Sequence, residues 1–503
     1  MPSGSDPAAS AVGPTIVPPA TVSRYVPLVV WVIVALTLII IPAKIIGYGY
    51  LPADDALRHA AKAVSGKPWN EILVMRPDFG IDPHPGWHAI LGLAHRLNDL
   101  STERLVVCGI CGLMIFFQMA PLPWFRRPEA WVAASLFSGV FLPMFMRRLA
   151  LGRPFVFTMA AGLFLLLLWS RETEKKYRWL SIAASVLLVA LASWIHGSFY
   201  QLVLPGVALA LAGRWRTAFI YGLCWVAGSF LGAAFTGHPI EFLLQCLHHL
   251  RGVFGDFLVA RQLVMEIMPG DGDYPALVGI GLLLLWRSRS KNWSANQLRD
   301  PLLIIALMGW LLGLKMLRFW WDWGIPAMLV WIGLQLEQEF KERFSPESLK
   351  RIVLTGILAV GLFWSVTGDR DSRWTYNLTN EYLEQSNPEL TGWLPGPGGI
   401  MYSADMRVFN DTFFKNPTAP WRYVLGFEPA LMLPEDLAVY RKVQWNFGDV
   451  RAYEPWVHKM HPEDRLVLRA SWLHSPGAPA IPELEWKYAV TDIWIGRLPR
   501  AAK

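Results

Sequence analysis

The chain has 503 residues, of which 53% are hydrophobic and 26 are tryptophan, and its formal net charge is +7. This composition and the length of the apolar runs exclude a soluble multidomain enzyme and indicate a multi-pass membrane protein. Lys and Arg fall largely between the apolar runs, where they orient membrane spans, so the positive charge does not indicate nucleic-acid binding. The four cysteines form no paired C-x-x-C…C-x-x-C framework for zinc.

The N-terminal segment is rich in Pro, Ala and Ser and has neither basic nor apolar character, so we expect residues 1–26 to be a disordered cytoplasmic tail. Apolar runs of close to, or a little under, the ~20 residues that cross a bilayer follow it, about eleven in all. They cover residues 27–48, 103–119, 128–146, 154–170, 179–195, 198–212, 217–236, 275–286, 301–316, 320–335 and 352–367. Several runs are short, so a re-entrant helix or a merged pair is an alternative.

The distribution of basic residues predicts the orientation of these spans. With a cytoplasmic N-terminus, the loops richest in Lys and Arg all lie inside, as the positive-inside rule requires. On this prediction the loop 50–102, the segment 238–274 and everything after Thr367 lie on the outer side. Five basic residues are exceptions on the outer side: Arg147, Arg148, Arg153, Lys315 and Arg318. Cations at an outer membrane face favour an anionic ligand, although side chains that reach lipid head groups are the alternative.

The fold expected from these patterns is an all-α polytopic membrane domain of about eleven transmembrane helices over residues 27–367, followed by a C-terminal soluble mixed α/β domain over 368–503. The segment 238–274 starts as an amphipathic helix too short to span, so we expect it to lie along the interface. After residue 367 the chain becomes polar, with Pro and Gly turns and short β-rich runs, and is long enough for its own core.

The loop 50–102 carries the strongest chemical signal. A turn at Pro52 precedes D-D-A-L-R-H-A, which predicts a capped helix with Asp54 and Asp55 in its first turn. Ionisable residues held this close to the apolar spans usually have a function. Two acids at this place would suit a base, a metal or a sugar, and the alternative is that they only cap the helix.

This arrangement resembles the GT-C class of integral-membrane glycosyltransferases, which use lipid-phosphate-linked sugars. The resemblance rests on an acidic pair directly after the first span, helical segments at 54–64 and 86–96, Gly152-Arg153-Pro154 at the start of a later span, and a C-terminal outer domain. It covers roughly residues 27–367 and identifies no subfamily. It implies a polytopic membrane enzyme that acts on a polyprenyl-phosphate sugar.

Transfer of a sugar from a phosphate to a hydroxyl needs a base for the acceptor proton and cations for the departing phosphate. Asp54 is the candidate base, because partial desolvation at the span boundary would raise its pKa, and Asp55 either orients Asp54 or replaces it. Arg153 is the favoured phosphate ligand, since a guanidinium binds phosphate oxygens as a fork. The other candidates for phosphate binding are Arg318, Lys315, Arg147 and Arg148.

Candidate substrate-binding residues are His59, His84, His196 and Trp321. Imidazole nitrogens can hydrogen-bond a sugar, a phosphate or a catalytic acid, and the Trp cluster F-W-W-D-W can stack on a sugar ring or an isoprenoid tail. The alternatives are structural histidines and an interfacial aromatic belt. His248-His249 and D-G-D at 271–273 suit a divalent cation, but a turn explains D-G-D more simply, so no cofactor is assigned.

The sequence and the resemblance together predict an inverting glycosyltransferase that acts on the periplasmic or luminal face. We expect a protein of the bacterial inner membrane with its C-terminal domain in the periplasm, and a eukaryotic protein with that domain in the lumen is the alternative. Its partners are a polyprenyl-phosphate-linked sugar donor, membrane lipid and an unidentified acceptor, and not nucleic acid. A flippase for a lipid-linked glycan and a non-catalytic scaffold of an envelope-assembly complex are the alternatives. A flippase would show paired broken helices in corresponding halves, and a scaffold would leave the Asp54 loop without a cavity.

Overall fold

The computed structural model describes residues 24–171, 178–255, 265–270, 272–289, 294–473 and 477–499. Most of the expected disordered tail, 1–26, lies outside these residues. The membrane part consists of helices α1 Val26–Ile46, α2 Asp55–Ser65, α3 Pro85–Asn98, α4 Thr102–Met119, α5 Glu129–Phe141, α6 Pro143–Leu149, α7 Phe155–Arg171, α8 Arg178–Ile195, α9 Leu204–Leu211, α10 Trp215–Ala234, α11 Pro239–Gly255, α12 Tyr274–Ser288, α13 Pro301–Gly313, α14 Ile325–Arg343 and α15 Leu349–Thr367.

Five of the described helices are long and apolar enough to cross a membrane: Val26–Ile46, Thr102–Trp124, Arg178–Ile195, Trp215–Ala234 and Leu349–Thr367. The second of these spans combines α4 with the 3₁₀ turn Leu122–Trp124. The pair α5 and α6 passes the same test together but is bent by 108°, which gives a sixth candidate. Four shorter apolar helices are Phe155–Arg171, Phe199–Leu211, Tyr274–Ser288 and Pro301–Gly313. The chain is therefore an integral membrane protein with five or six candidate spans of full length.

Buried ion pairs join the helix ends that the charge pattern places in the cytoplasm. Arg351 of α15 donates hydrogen bonds of 2.7 and 3.0 Å to Glu129 of α5, and both side chains are buried. Arg287 of α12 forms an ion pair with Glu339 of α14. Breaking a buried pair of this kind by removing one partner typically costs about 3–5 kcal/mol. These contacts hold one set of ends together, while the loop 50–102 lies at the other set.

The C-terminal part contains the five strands β1 Ile400–Tyr402, β2 Arg422–Tyr423, β3 Arg465–Arg469, β4 Glu485–Val490 and β5 Ile493–Arg497, and the helices α16 Met406–Lys415, α17 Pro434–Trp445 and α18 Glu454–Lys459. The strand order is β2-β1-β3-β5-β4, with parallel pairing of β1 to β2 and β3 and antiparallel pairing elsewhere. Together, the helical membrane part and this mixed sheet agree with the predicted fold class in outline.

The loop 50–102 is part of the same fold as this sheet. The amide of Val74 donates to the carbonyl of Tyr423 at 2.9 Å, and the amide of Arg76 to the carbonyl of Leu431 at 2.9 Å. Trp69 and other apolar side chains of the loop share one core with side chains of the sheet, including Ile495. A second core lies entirely after residue 399. The C-terminal part is thus packed directly against the loop 50–102.

Candidate active site

Asp54 caps the helix α2, as the sequence predicts. Its backbone is extended, and its carboxylate accepts the amide N–H of Asp55 at 2.6 Å. Ala56, Leu57 and Ala60 point into the membrane-domain core, which fixes the helix against the neighbouring spans and leaves both carboxylates at its outer end. Asp54 therefore caps the helix, and the same carboxylate has further partners.

Arg153 lies directly against the Asp54 carboxylate. Its guanidinium donates three hydrogen bonds to Asp54, at 2.8, 2.9 and 3.1 Å, and its Nε lies 3.8 Å from Asp55. The turn before it needs a glycine, because Gly152 has a φ of +66° and a Cβ there would lie 2.9 Å from Ile110 and 3.0 Å from Ala56. Gly152 thus lets the start of α7 approach the first turn of α2.

Arg153 belongs to a network of ion pairs. It also contacts Glu266, and Arg148 donates to the same Glu266 at 2.7 Å. Arg148 in turn pairs with Asp322, to which Arg318 donates at 3.0 Å. The network has four carboxylates, Asp54, Asp55, Glu266 and Asp322, and four guanidinium groups, Arg58, Arg148, Arg153 and Arg318. Its formal charges cancel, which compensates for burying them.

Burial and these ion pairs shift the titration of the acids outside the spans. Burial raises the pKa of Asp54 above its ordinary value, more than the charge of Arg153 lowers it. Burial also acts on Asp55, but the charges of Arg58 and Arg153 outweigh it and hold the pKa of Asp55 below its usual value. Of the two acids, Asp54 is therefore the one better suited to accept a proton.

Two of the five nominated cations lie outside the network. Arg147 and Lys315 form no ion pair with the described residues, and Lys315 is exposed. The Arg147 guanidinium lies 5.1 Å from the ring centre of Tyr376. Nearby, Tyr50 is fully buried, and its hydroxyl has no hydrogen-bond partner among the described residues. Arg147 and Tyr50 interact electrostatically, as do Tyr50 and Asp54.

The nominated histidines form a cluster next to α2. The ring centres of His59 and His84 are 4.8 Å apart, and those of His84 and His196 are 4.9 Å apart. Burial lowers the pKa of His59 and His84 well below the ordinary value and that of His196 to about 3. The charged groups that act on His196 are Arg318, Asp55, Arg58 and Arg153. The three rings are therefore neutral at pH 7.

Comparison with known proteins gives a likeness in fold to solved structures. No family model and no curated protein matches the chain. The solved structure of the arabinofuranosyltransferase AftD from Mycobacteria matches 94% of the chain with a TM-score of 0.51 and 16% identity. The chain has the fold of the part of AftD that it matches. It spans 40% of the AftD chain. The GT-C-like fold expected from the sequence is confirmed, and the subfamily stays unidentified.

In this AftD-like fold, Trp321 lies beside the network, with the Arg148 guanidinium 5.5 Å from its ring centre. Among the described residues, no three His, Cys, Asp or Glu side chains are placed to bind one metal ion. The first acid of D-G-D, at position 271, lies outside the described residues. His249 contacts Glu428 at 3.7 Å instead of a metal partner.

Three residues of this candidate site were not predicted from the sequence: Glu266, Asp322 and Tyr50. Asp322 is 1% exposed and belongs to the π-helical segment Trp320–Gly324. A signal for it existed, because an acid inside an aromatic, membrane-proximal run is a functional candidate by default. Nothing local marked Glu266 or Tyr50, whose importance comes only from the partners that the fold brings to them.

Proposed function

We propose that this protein is a membrane glycosyltransferase that transfers a sugar from a polyprenyl phosphate to an acceptor hydroxyl at the outer membrane face. The observation that carries the proposal is the contact between the Asp54 carboxylate and the Arg153 guanidinium at the outer end of a GT-C-like fold. This contact supports the proposal, because sugar transfer from a phosphate requires a base close to cations that bind the phosphate.

Asp54 acts as the general base. In a single displacement, the acceptor oxygen bonds to the anomeric carbon as the bond to the phosphate oxygen breaks, so the anomeric configuration inverts. The acceptor proton passes to Asp54, and the bonding electrons leave with the phosphate. Because Arg153 holds Asp54 with three hydrogen bonds, a donor phosphate that draws Arg153 away would increase the basicity of Asp54. Asp55 orients Arg153 and Arg58.

The donor phosphate binds first to cations that are not already neutralised. Arg148, Arg153 and Arg318 are paired with carboxylates, so a phosphate would have to compete for them. Arg147 has no such competitor among the described residues, and the buried Tyr50 hydroxyl is a second donor. We therefore assign the initial phosphate contact to Arg147, with Lys315 at the exposed edge, and the contact in the transition state to Arg153 and Arg318.

The sugar ring binds beside the phosphate, against His59, His84 and His196. Neutral imidazoles accept hydrogen bonds from sugar hydroxyls without neutralising the phosphate. Trp321, beside Arg148, supplies an apolar face for the ring or for the first isoprene unit. No metal or other cofactor is part of this proposal.

The proposed topology has eleven spans in the bacterial inner membrane, with the N-terminus in the cytoplasm and residues 368–503 in the periplasm. It counts α5 with α6 as one span and the shorter apolar helices and α14 as spans. The buried network around Asp54 weighs against a purely structural scaffold, and no observation favours a flippase.

The test is donor turnover by the purified protein in lipid nanodiscs. We would supply a panel of synthetic polyprenyl-phosphate sugars and measure release of polyprenyl phosphate, with water or short glycans as acceptors. Polyprenyl-phosphate arabinofuranose comes first, because the structural neighbour is an arabinofuranosyltransferase. Release that depends on one sugar and produces an inverted anomer supports the proposal. Absence of release with every lipid-linked sugar, at protein concentrations equal to the donor concentration, refutes it.

A further inference from the structure

A chain of hydrogen bonds leads from the loop into the histidine cluster. Asp82 accepts a hydrogen bond from the amide of His84 at 3.0 Å through one carboxylate oxygen. Its other oxygen lies 2.5 Å from Nδ1 of His88. Nε2 of His88 then lies 2.8 Å from Nδ1 of His59. His59 and His88 are 1% and 8% exposed, so the contact between the two rings is buried.

Burial lowers the pKa of His88 below its ordinary value, and with His59 and His88 both neutral only one set of proton positions satisfies this chain of hydrogen bonds. An ionised carboxylate is purely an acceptor, so His88 must carry its proton on Nδ1. A neutral His88 then has a bare Nε2, which requires His59 to carry its proton on Nδ1. The consequence is a bare Nε2 on His59, and that atom is buried without a hydrogen-bond partner among the described residues. The chain of hydrogen bonds thus leaves one buried acceptor, Nε2 of His59, in the histidine cluster.

Asp82 remains ionised at the far end of the chain. It lines an open groove of about 570 Å³ together with Phe235 and His238, so solvent reaches its carboxylate from that side. Although burial opposes ionisation, the contacts with His88 and the charge of Lys62 hold the pKa of Asp82 well below its usual range. The negative charge of Asp82 at one end of the hydrogen-bond chain therefore determines the tautomer of His59 at the other end.

We infer that Asp82 and His88 are positioning residues that fix the tautomer of His59, so that its bare Nε2 accepts a hydrogen bond from a hydroxyl group of the sugar substrate. The inference rests on the proposed function for the identity of the ligand, and on the hydrogen-bond geometry with Asp82 ionised and both rings neutral for the tautomer. A hydroxyl is the fitting ligand, since it donates one hydrogen bond and carries no charge that the buried site would have to compensate.

The substitution Asp82→Asn tests the tautomer. The oxygen of the introduced side-chain amide still accepts the N–H of His84, so the NH₂ group of that amide faces His88. A donor at that place forces the proton of His88 to Nε2 and, in turn, the proton of His59 to Nε2. Nitrogen spectra of ¹⁵N-histidine-labelled protein in lipid bilayers should show both rings changing tautomer, with His59 assigned by its loss in His59→Gln. The matched control Asp99→Asn, at an exposed position of the same loop, should change neither ring.

Spectra in which His59 carries its proton on Nε2 in the wild type, or does not change in Asp82→Asn, would overturn the inference. If Asp82→Asn fails to fold, His88→Phe gives the second measurement: it keeps a ring beside Trp69 and should leave His59 as a mixture of tautomers. Turnover of the sugar donor should fall about 10- to 100-fold in Asp82→Asn, the effect typical of residues that orient a metal-binding histidine. Full turnover with an inverted tautomer would refute the substrate contact but leave Asp54 as the base.

Discussion

Replacing Asp54 by Asn removes a negative charge and a proton acceptor and keeps the shape of the side chain. Asn caps helices about as well as Asp, so α2 keeps its cap. The side chains of Arg153 and Asp54 are 21% and 17% exposed, which places the pair between an exposed one, worth about 1 kcal/mol at most, and a buried one, whose disruption costs about 3–5 kcal/mol. We therefore expect the free energy of unfolding to fall by about 1–3 kcal/mol.

Turnover should fall much further than stability. A positioned general base contributes about two to four orders of magnitude to the rate, which is ~2.7–5.4 kcal/mol of activation free energy at 1.36 kcal/mol per factor of ten. The loss should appear in kcat. Donor KM should not rise, because the phosphate no longer competes with the Asp54 carboxylate for Arg153. The carboxylates that still compete are Glu266 and the more distant Asp55.

The assay is release of polyprenyl phosphate from the best donor of the panel, measured for Asp54→Asn, Asp55→Asn, the double variant and the control Asp99→Asn. Thermal unfolding in nanodiscs shows that each variant is folded. Loss of turnover in Asp55→Asn alone would exchange the roles of the two acids. Wild-type turnover in both single variants and in the double variant would mean that the pair only caps α2, and the proposed mechanism would be wrong.

Three further predictions concern other parts of the molecule. Arg147→Gln should weaken binding of polyprenyl phosphate about 10- to 150-fold, the equivalent of the 1.5–3 kcal/mol of a hydrogen bond to a charged group, and Arg104→Gln at an exposed position should not; equal binding by all three proteins contradicts the assignment. The pKa of His196 is lowered to about 3, so below pH 6.5 this residue binds more protons in the unfolded chain than in the folded one, and the free energy of unfolding should fall as the pH drops from about 6.5. His196→Gln should reduce the slope of the unfolding free energy against pH by up to ~1.4 kcal/mol per pH unit. An unchanged slope would show that His196 titrates normally. In a cysteine-free protein, Ser386→Cys should react with an impermeant thiol reagent in intact spheroplasts and Ser345→Cys should not, and the opposite result would invert the topology.

The sequence predicted the local structure of the site well. The helix expected at 54–64 is Asp55–Ser65, and the one expected at 86–96 is Pro85–Asn98. Both have explicit start signals, an N-cap acid and a proline in the first turn, which act over a few residues. The proline after Arg153 likewise marked the start of α7. Such signals act within one turn of the chain, so they can be recognised without knowing the fold.

The partners of the site could not be predicted in this way. Glu266 contacts Arg153 across more than a hundred positions of sequence, and Asp322 contacts Arg148 across a larger separation. Composition placed a domain boundary near residue 368, whereas Trp69 and its neighbours share a core with the strands after residue 399. Hydropathy reports how apolar each segment is and contains no information on which segments pack together. The roles of the site residues therefore stay predictions.

The pairing of Val74 and Arg76 with the backbone at Tyr423 and Leu431 has a consequence for biogenesis. During translation, the loop after the first span is made several hundred residues before the strands that complete it. Closing so long a segment has an entropic cost that must be met before the contacts form. We expect the segment around Trp69 to stay accessible to proteases and chaperones until the last strands emerge. Nonsense mutations late in the gene would then yield an inserted protein without an ordered Asp54 loop.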